Sequence, residues 1–353
     1  FGPKIKNSIK RIYYYFGFFI SIILLRNNQE IYSRRIKFNL LPKQKKEYSS
    51  HFGYYDRTSV SLRGEFLADV YYKNKDSSYS YIYINNLKDI KKKSFLKLDP
   101  ICFSRAHNIQ QGNLISWFIS QNQDAFIYND ISNYNLFSCG VFFDKDKIKE
   151  FRRYPLPIQS VCSRLAKAIS IDYFKLLYKR SEYSYQNKFL QNSQFKKNIL
   201  IEFSLEDGNI ISSISKKELP NVENNIRKKI NINDIDDQLW NINHALYSPS
   251  GKAFIFLVRI YDDSNRRISN LIYKDQNGSI KFVFAGIISH YCFIGETKLF
   301  IWGKPNDSNL EYPQFFIYSL QDSSIQIIDS LKSFNDGHPT FSEKLSSIVF
   351  DTY

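Results

Sequence analysis

Three of the five histidines, His244, His290 and His338, stand 46 and then 48 residues apart, and each opens the pattern His-x-x-aromatic. A short polar stretch and a β-rich run follow each time. The segments read His244-Ala-Leu-Tyr247-Ser-Pro-Ser-Gly251, His290-Tyr-Cys-Phe293-Ile-Gly295 and His338-Pro-Thr-Phe341-Ser-Glu. A repeat of roughly 45 residues is the length of one four-stranded propeller blade. Equivalent residues of successive blades face one axis, so the repeat predicts imidazoles gathered at a hub. The alternative is that each histidine ends a strand and bonds a neighbouring backbone.

By length alone, 353 residues allow two or three domains. The repeat instead argues for one all-β propeller over residues 51–353, preceded by residues 1–50. Strand patterns with period two at residues 59–72 and 79–85 give a first unit. A second runs from about 104 to 155, and a third begins near 158 with an insertion at 172–197. Insertions of this kind sit on one face of a propeller and shape binding sites. After a basic connector at 221–237 come the three histidine-headed blades, the last of them cut in its second strand. The expectation is five whole blades and a sixth begun, six or seven in a complete ring, and a sequence missing part of each end.

Forty-nine basic against 34 acidic residues give a net charge of +15. That balance fits an acidic partner such as an anionic membrane or polymer, and equally the lysine codons of an AT-rich sequence. Nucleic acid is not expected, because the lysines are scattered and no recognised module occurs. Cys102, Cys139, Cys162 and Cys292 lack any Cys-x-x-Cys spacing, so they read as buried free thiols in a reducing compartment. A Gly-rich phosphate loop, a Gly-x-Ser-x-Gly elbow and a His-Glu-x-x-His helix are all absent.

Residues 4–26 join Lys4, Lys6, Lys10 and Arg11 to the apolar run Ile12 to Leu25, closed by Arg26. Fourteen residues fall short of the about 20 that span a bilayer, and no small-residue cleavage site follows. The expectation is a helix lying in a membrane surface, with the protein cytoplasmic and peripheral at the inner membrane face. An uncleaved signal anchor with export, and a buried packing helix, are the alternatives.

Several motifs appear in order: Gly53-Tyr-Tyr-Asp56, Ser104-Arg-Ala-His-Asn108 with Gln110-Gln-Gly112 and Trp117, Ile127-Tyr-Asn-Asp130 and Leu156-Pro-Ile-Gln-Ser-Val161. Asn243-His-Ala-Leu-Tyr-Ser-Pro-Ser-Gly251, Ser289-His-Tyr-Cys292 and Asp336-Gly-His-Pro-Thr-Phe341 with Asp351-Thr-Tyr353 continue the series. Over residues 51–353 the chain resembles an uncharacterised family of β-propeller proteins encoded among polysaccharide and glycosyltransferase genes, distantly similar to the oligogalacturonate lyase propellers. It departs from that family at His107, where Trp is usual, and at Cys162-Ser-Arg-Leu165, where a Ser-Pro-Asp-Gly turn is usual.

In those lyases, histidines and a glutamine hold a divalent metal that acidifies the proton beside a uronate carboxylate for β-elimination. The resemblance therefore implies a first-row ion such as Mn, with His290 its first ligand, His338 its second, and His244 in contact with substrate. A sugar polymer needs aromatic faces and cations, for which Tyr54, Tyr55, Arg57, Arg105, Gln110, Gln111, Asn129, Asp130 and Arg180 lie in suitable segments. Three functions follow: a carbohydrate-binding propeller of surface polysaccharide assembly, a metal-dependent polysaccharide lyase-like enzyme, or a protein-interaction scaffold. Convergence of the three histidines on one point separates the first two.

Overall fold

Phe254–Tyr261 reads Phe-Ile-Phe-Leu-Val-Arg-Ile-Tyr, and all eight residues are buried. A strand like this, with no polar face, must be covered on both sides. Its alternate residues do separate into two cores. Phe254, Phe256, Val258 and Ile260 join one apolar cluster, and Ile255 and Leu257 join another. The same split occurs at Gln123–Ser132, where Ala125, Ile127 and Ile131 face one way and Phe126 and Tyr128 the other. Lys298–Pro305 repeats it with Leu299 and Ile301 against Phe300. Successive sheets are therefore stacked face to face, each supplying half of two cores. Full burial of one such side chain contributes about 1.5–3 kcal/mol.

The structure, a computed structural model, describes residues 48–51, 54–73, 76–90, 100–108, 110–133, 135–144, 147–185, 195, 197–343 and 346–351. The basic apolar helix expected at residues 4–26 lies outside them. No helix among the described residues is long and apolar enough to cross a membrane.

The protein is all-β, and its strands follow one another as antiparallel meanders. Tyr48–His51 (β1), Phe66–Lys73 (β2), Asp76–Asn86 (β3) and Cys102–Ser104 (β4) form the first sheet. Ser116–Ser120 (β5), Gln123–Ser132 (β6), Asn135–Asp144 (β7) and Lys147–Tyr154 (β8) form the second. Ser160–Cys162 (β9), Lys167–Ile171 (β10), Asn198–Ser204 (β11) and Ile210–Ser215 (β12) form the third. The insertion at 172–197 opens with the helix Tyr173–Lys179 (α1), capped by the Asp172 carboxylate. The connector carries the small hairpin Val222–Glu223 (β13) and Lys229–Ile230 (β14) between single 3-10 turns.

A seven-stranded sheet follows: Trp240–Tyr247 (β15), Phe254–Tyr261 (β16), Arg267–Lys274 (β17), Ile280–Ile294 (β18), Lys298–Pro305 (β19), Gln314–Ser319 (β20) and Ile325–Ile327 (β21). Its fifteen-residue β18 belongs to two meanders, pairing with β17 up to Gly286 and with β19 from Gly286 onward. Glycine is needed at that crossing, because a Cβ there would lie 2.1 Å from the Lys304 carbonyl oxygen. The pair Thr340–Ser342 (β22) and Ser347–Val349 (β23) ends the described chain. All four cysteines are free thiols.

Turns between strands lock neighbouring sheets together. In Ser248-Pro-Ser-Gly251 the Gly251 amide bonds the Ser248 carbonyl at 2.8 Å, with Gly251 at φ +72°. Only glycine adopts that conformation without strain, and an added Cβ would meet Cys162 Sγ at 2.2 Å. Gly251→Ala is expected to lower stability by more than about 1 kcal/mol, measured as a shift of the urea unfolding midpoint.

Candidate functional site

The histidines reach one point because the strands that carry two of them are bulged. Pairing of β15 with β16 slips between Asn243 and Leu246, and His244 sits in the bulge at φ +52°. Pairing of β18 with β19 slips between Ile288 and Tyr291, which places His290 in a second bulge. A bulge inserts an extra residue and re-aims its side chain away from the ladder. His338 lies just before β22 and is held from the other side by Asp351, which accepts from its backbone amide at 2.6 Å and from Nδ1 at 3.0 Å.

Tyr54 stands among the three rings. Its centroid is 5.5 Å from His244, 6.0 Å from His290 and 5.4 Å from His338. His290 lies 4.3 Å from His338 and 5.7 Å from His244. Tyr183 packs edge-on to both Tyr54 and His244. Segments far apart in the chain are tied here: Tyr55 Oη donates to the Tyr291 carbonyl at 3.0 Å, and Thr340 Oγ1 to the Tyr55 carbonyl at 2.7 Å. Tyr291 Oη in turn donates to the His244 carbonyl.

Hydrogen bonds fix the state of His290. Its Nδ1 lies 2.9 Å from Asp336 Oδ1 and its Nε2 2.8 Å from Tyr54 Oη. Burial favours the neutral ring and lowers its pKa, although Asp336 pulls the other way. Burial would raise the Asp336 carboxyl, but the bond from His290 and its neighbours takes it below the usual range. An ionised carboxylate only accepts, so Nδ1 carries the proton, Nε2 is bare, and Tyr54 donates its O–H to it. His244 is also held neutral, by burial first and then by Arg259 and His290. Its Nε2 has no hydrogen-bond partner among the described residues. Burial raises the Tyr54 hydroxyl, so it keeps its proton at rest.

Beside this hub lies a cleft of about 470 Å³ lined by Lys179, Arg180, Glu182, Tyr261, Arg267 and Ser269, among others. Arg180 pairs with Glu182 and stacks 4.2 Å over Tyr183, linking cleft to hub. Ser269 accepts from Arg259 Nη1 at 2.9 Å, and Arg259 Nε donates to Asn243 Oδ1 at 2.8 Å, one residue before His244. Arg259 is 1% exposed. Its remaining bond goes to the Ile288 carbonyl, and no carboxylate pairs with it among the described residues. Burial, then Arg267 and Arg180, bring its pKa down to about 9. A buried charge without a counter-ion is costly, so this guanidinium calls for an anion.

Of the residues singled out from the sequence, the structure brings Tyr54, His244, His290 and His338 together. Gln110 lies one layer out, its Nε2 bonding Tyr183 Oη at 2.9 Å, and Arg180 borders the cleft. Others serve the scaffold. Asn129 is fully buried, bonding the Ile158 backbone on both sides and Tyr185 Oη. Gln111 is buried too, with its amide on Asn108 Oδ1. Arg57 is buried and bridges Ser116, the Gln159 carbonyl and Asp56. Arg105 is exposed and meets Asp130 through its backbone amide.

The residues present do not form a metal cage. An Nδ1 bond to a carboxylate is common in metal-bound imidazoles, yet here the Tyr54 hydroxyl occupies Nε2. No three His, Cys, Asp or Glu side chains among the described residues are grouped to hold an ion. Arg259 and Tyr183 complete the site without having been singled out, as does Asp336, which stands in the motif Asp336-Gly-His-Pro but was given no role there. Arg259 did leave a trace, as the one charged residue in an apolar strand.

No family model and no curated protein matches the sequence. Among solved structures, the chain is similar to the tricorn protease at 10% identity and a TM-score of 0.38, covering 82% of this chain and 25% of that one. It thus spans about a quarter of that protein's length. A protein from Lactobacillus plantarum is similar at 10% identity and a TM-score of 0.37, covering 87% and 76%. A subtype N10 neuraminidase-like protein of A/little yellow-shouldered bat/Guatemala gives 10% identity and a TM-score of 0.37, covering 88% and 92%.

Proposed function

We propose that the chain is a β-propeller of five four-stranded blades with a sixth begun, and that its hub and cleft bind an acidic oligosaccharide or polysaccharide. The stacked meanders and the contacts between Tyr54–Tyr55 and the last sheets support the ring. Arg259 carries the ligand class: it is buried beside the hub with no acid to pair with among the described residues. Lys179 and Arg267 at the cleft also lack ion pairs among the described residues. Tyr183 and Tyr261 add aromatic faces on which a sugar ring can stack. The resemblance to propellers encoded among polysaccharide genes directs the reading to surface polysaccharide assembly or processing. In this reading residues 4–26 hold the module at a membrane surface.

The test is titration of the full chain with oligogalacturonate and with a neutral glucan of equal length, followed by calorimetry. The acidic ligand is expected to bind at least tenfold more tightly, with affinity falling as salt is added. Equal affinities, or binding of neither, would remove the reading.

A further inference from the structure

Strand register gathers the polar groups of the cleft. In the β16–β17 ladder Tyr261 stands opposite Arg267, and Arg259 stands opposite Ser269. Residues two apart on a strand share a face, so the exposed Arg267 and the buried Tyr261, Arg259 and Ser269 all lie on the same side of the sheet. The insertion contributes Lys179, Arg180 and Glu182 to the cleft. Four cations thus converge on it, Arg259 through its bond to Ser269. They sit close enough to repel, since Arg267 and Arg180 add to burial in pressing the Arg259 pKa down. Glu182, the carboxylate of the lining, is already taken by Arg180. Arg259, Arg267 and Lys179 are left without an ion pair among the described residues. Arg259 also bonds through Nε and Nη1, which leaves its Nη2 without a partner among them.

A single carboxylate would neutralise one of these charges and leave the other two facing each other. A phosphate monoester carries about −1.5 to −2 at neutral pH and offers three acceptor oxygens. Guanidinium forks match its geometry with paired bonds. We propose, resting on the binding reading above, that the acidic group this cleft selects is a phosphate monoester carried on the saccharide. Arg259, Arg267 and Lys179 hold the phosphate, and the sugar ring lies against Tyr261.

The full chain is titrated calorimetrically with maltotriose bearing at one C6 a phosphate monoester, a carboxylate or the unmodified hydroxyl. The phosphate is expected to bind about tenfold or more tighter than the carboxylate, the effect of one further bond to a charged group, and the carboxylate tighter than maltotriose. Arg267→Gln and Lys179→Gln should each lower the ratio of phosphate to carboxylate affinity about threefold or more. Without recourse to a variant, inorganic phosphate should displace the phosphorylated sugar from the wild-type chain at lower concentration than acetate does. Equal affinity for the two acids overturns the phosphate assignment and leaves the binding reading intact. A phosphate preference that both variants keep in full also overturns it, because the group would then sit elsewhere, and so does an equal or reversed order of phosphate and acetate. If neither acid binds more tightly than maltotriose, the binding reading itself fails and takes this assignment with it.

Discussion

Replacing Arg259 with Met is expected to weaken binding of an acidic oligosaccharide by at least thirtyfold. Truncating one partner of a buried charge pair costs about 2–5 kcal/mol, and each 1.4 kcal/mol is a factor of ten. Among the described residues Arg259 meets only neutral groups, namely Asn243, Ser269 and the Ile288 carbonyl. A bound carboxylate would be its first counter-ion. Arg259→Lys keeps the charge but loses the planar fork, so its affinity should lie between wild type and Arg259→Met. The loss of donors to Asn243 and Ser269 should cost about 1–3 kcal/mol of stability, which a thermal melt separates from the binding effect. Wild-type affinity in both variants would place the ligand elsewhere.

Glu202→Ala is expected to be the most destabilising single change in the scaffold, by about 3–5 kcal/mol. Glu202 is 3% exposed on β11 and receives Lys167 at 2.6 Å, Lys274 at 3.7 Å, Ser212 at 2.9 Å and Tyr247 at 3.0 Å. These partners come from the third sheet and the seven-stranded one, so its removal leaves two cations facing each other at their junction. Burial would raise the Glu202 pKa, but the bonds and charges of Lys167, Ser212 and Lys274 outweigh it and lower the pKa. A depressed carboxyl contributes stability above its unfolded pKa of about 4.3, and loses it as pH falls through the lower folded value. The gap between wild type and variant should therefore be full at neutral pH and close under acid, as read by urea unfolding across that range. A constant gap would show that packing, and not charge, carries the effect.

Much of the fold was legible in the chain because strand period and turn chemistry are local. The strand pattern read at 79–85 falls within β3, and the one read at 59–72 overlaps β2. The second strand read in the last histidine-headed unit is β23, paired with β22. What was not legible is equally specific. Asn129 and Asp130 are neighbours in one motif, yet Asn129 is spent on the Ile158 backbone and Asp130 on Arg105. Sequence position cannot tell which polar side chain the packing will consume. Arg57 likewise reads as a cation for a ligand and serves as a tie between sheets.

The sequence by itself determined the meander of strands and the recurrence of histidine at one place in each late unit, because both depend on short-range spacing. Only the tertiary structure decided that His244 and His290 turn inward on bulges, that Tyr54 from 190 and 236 residues earlier in the chain meets them, and that Arg259 has no acidic partner among the described residues. Those features depend on how stacked sheets bring remote backbones into register. A side chain's electrostatic surroundings are set by neighbours in space, and the linear order does not encode them.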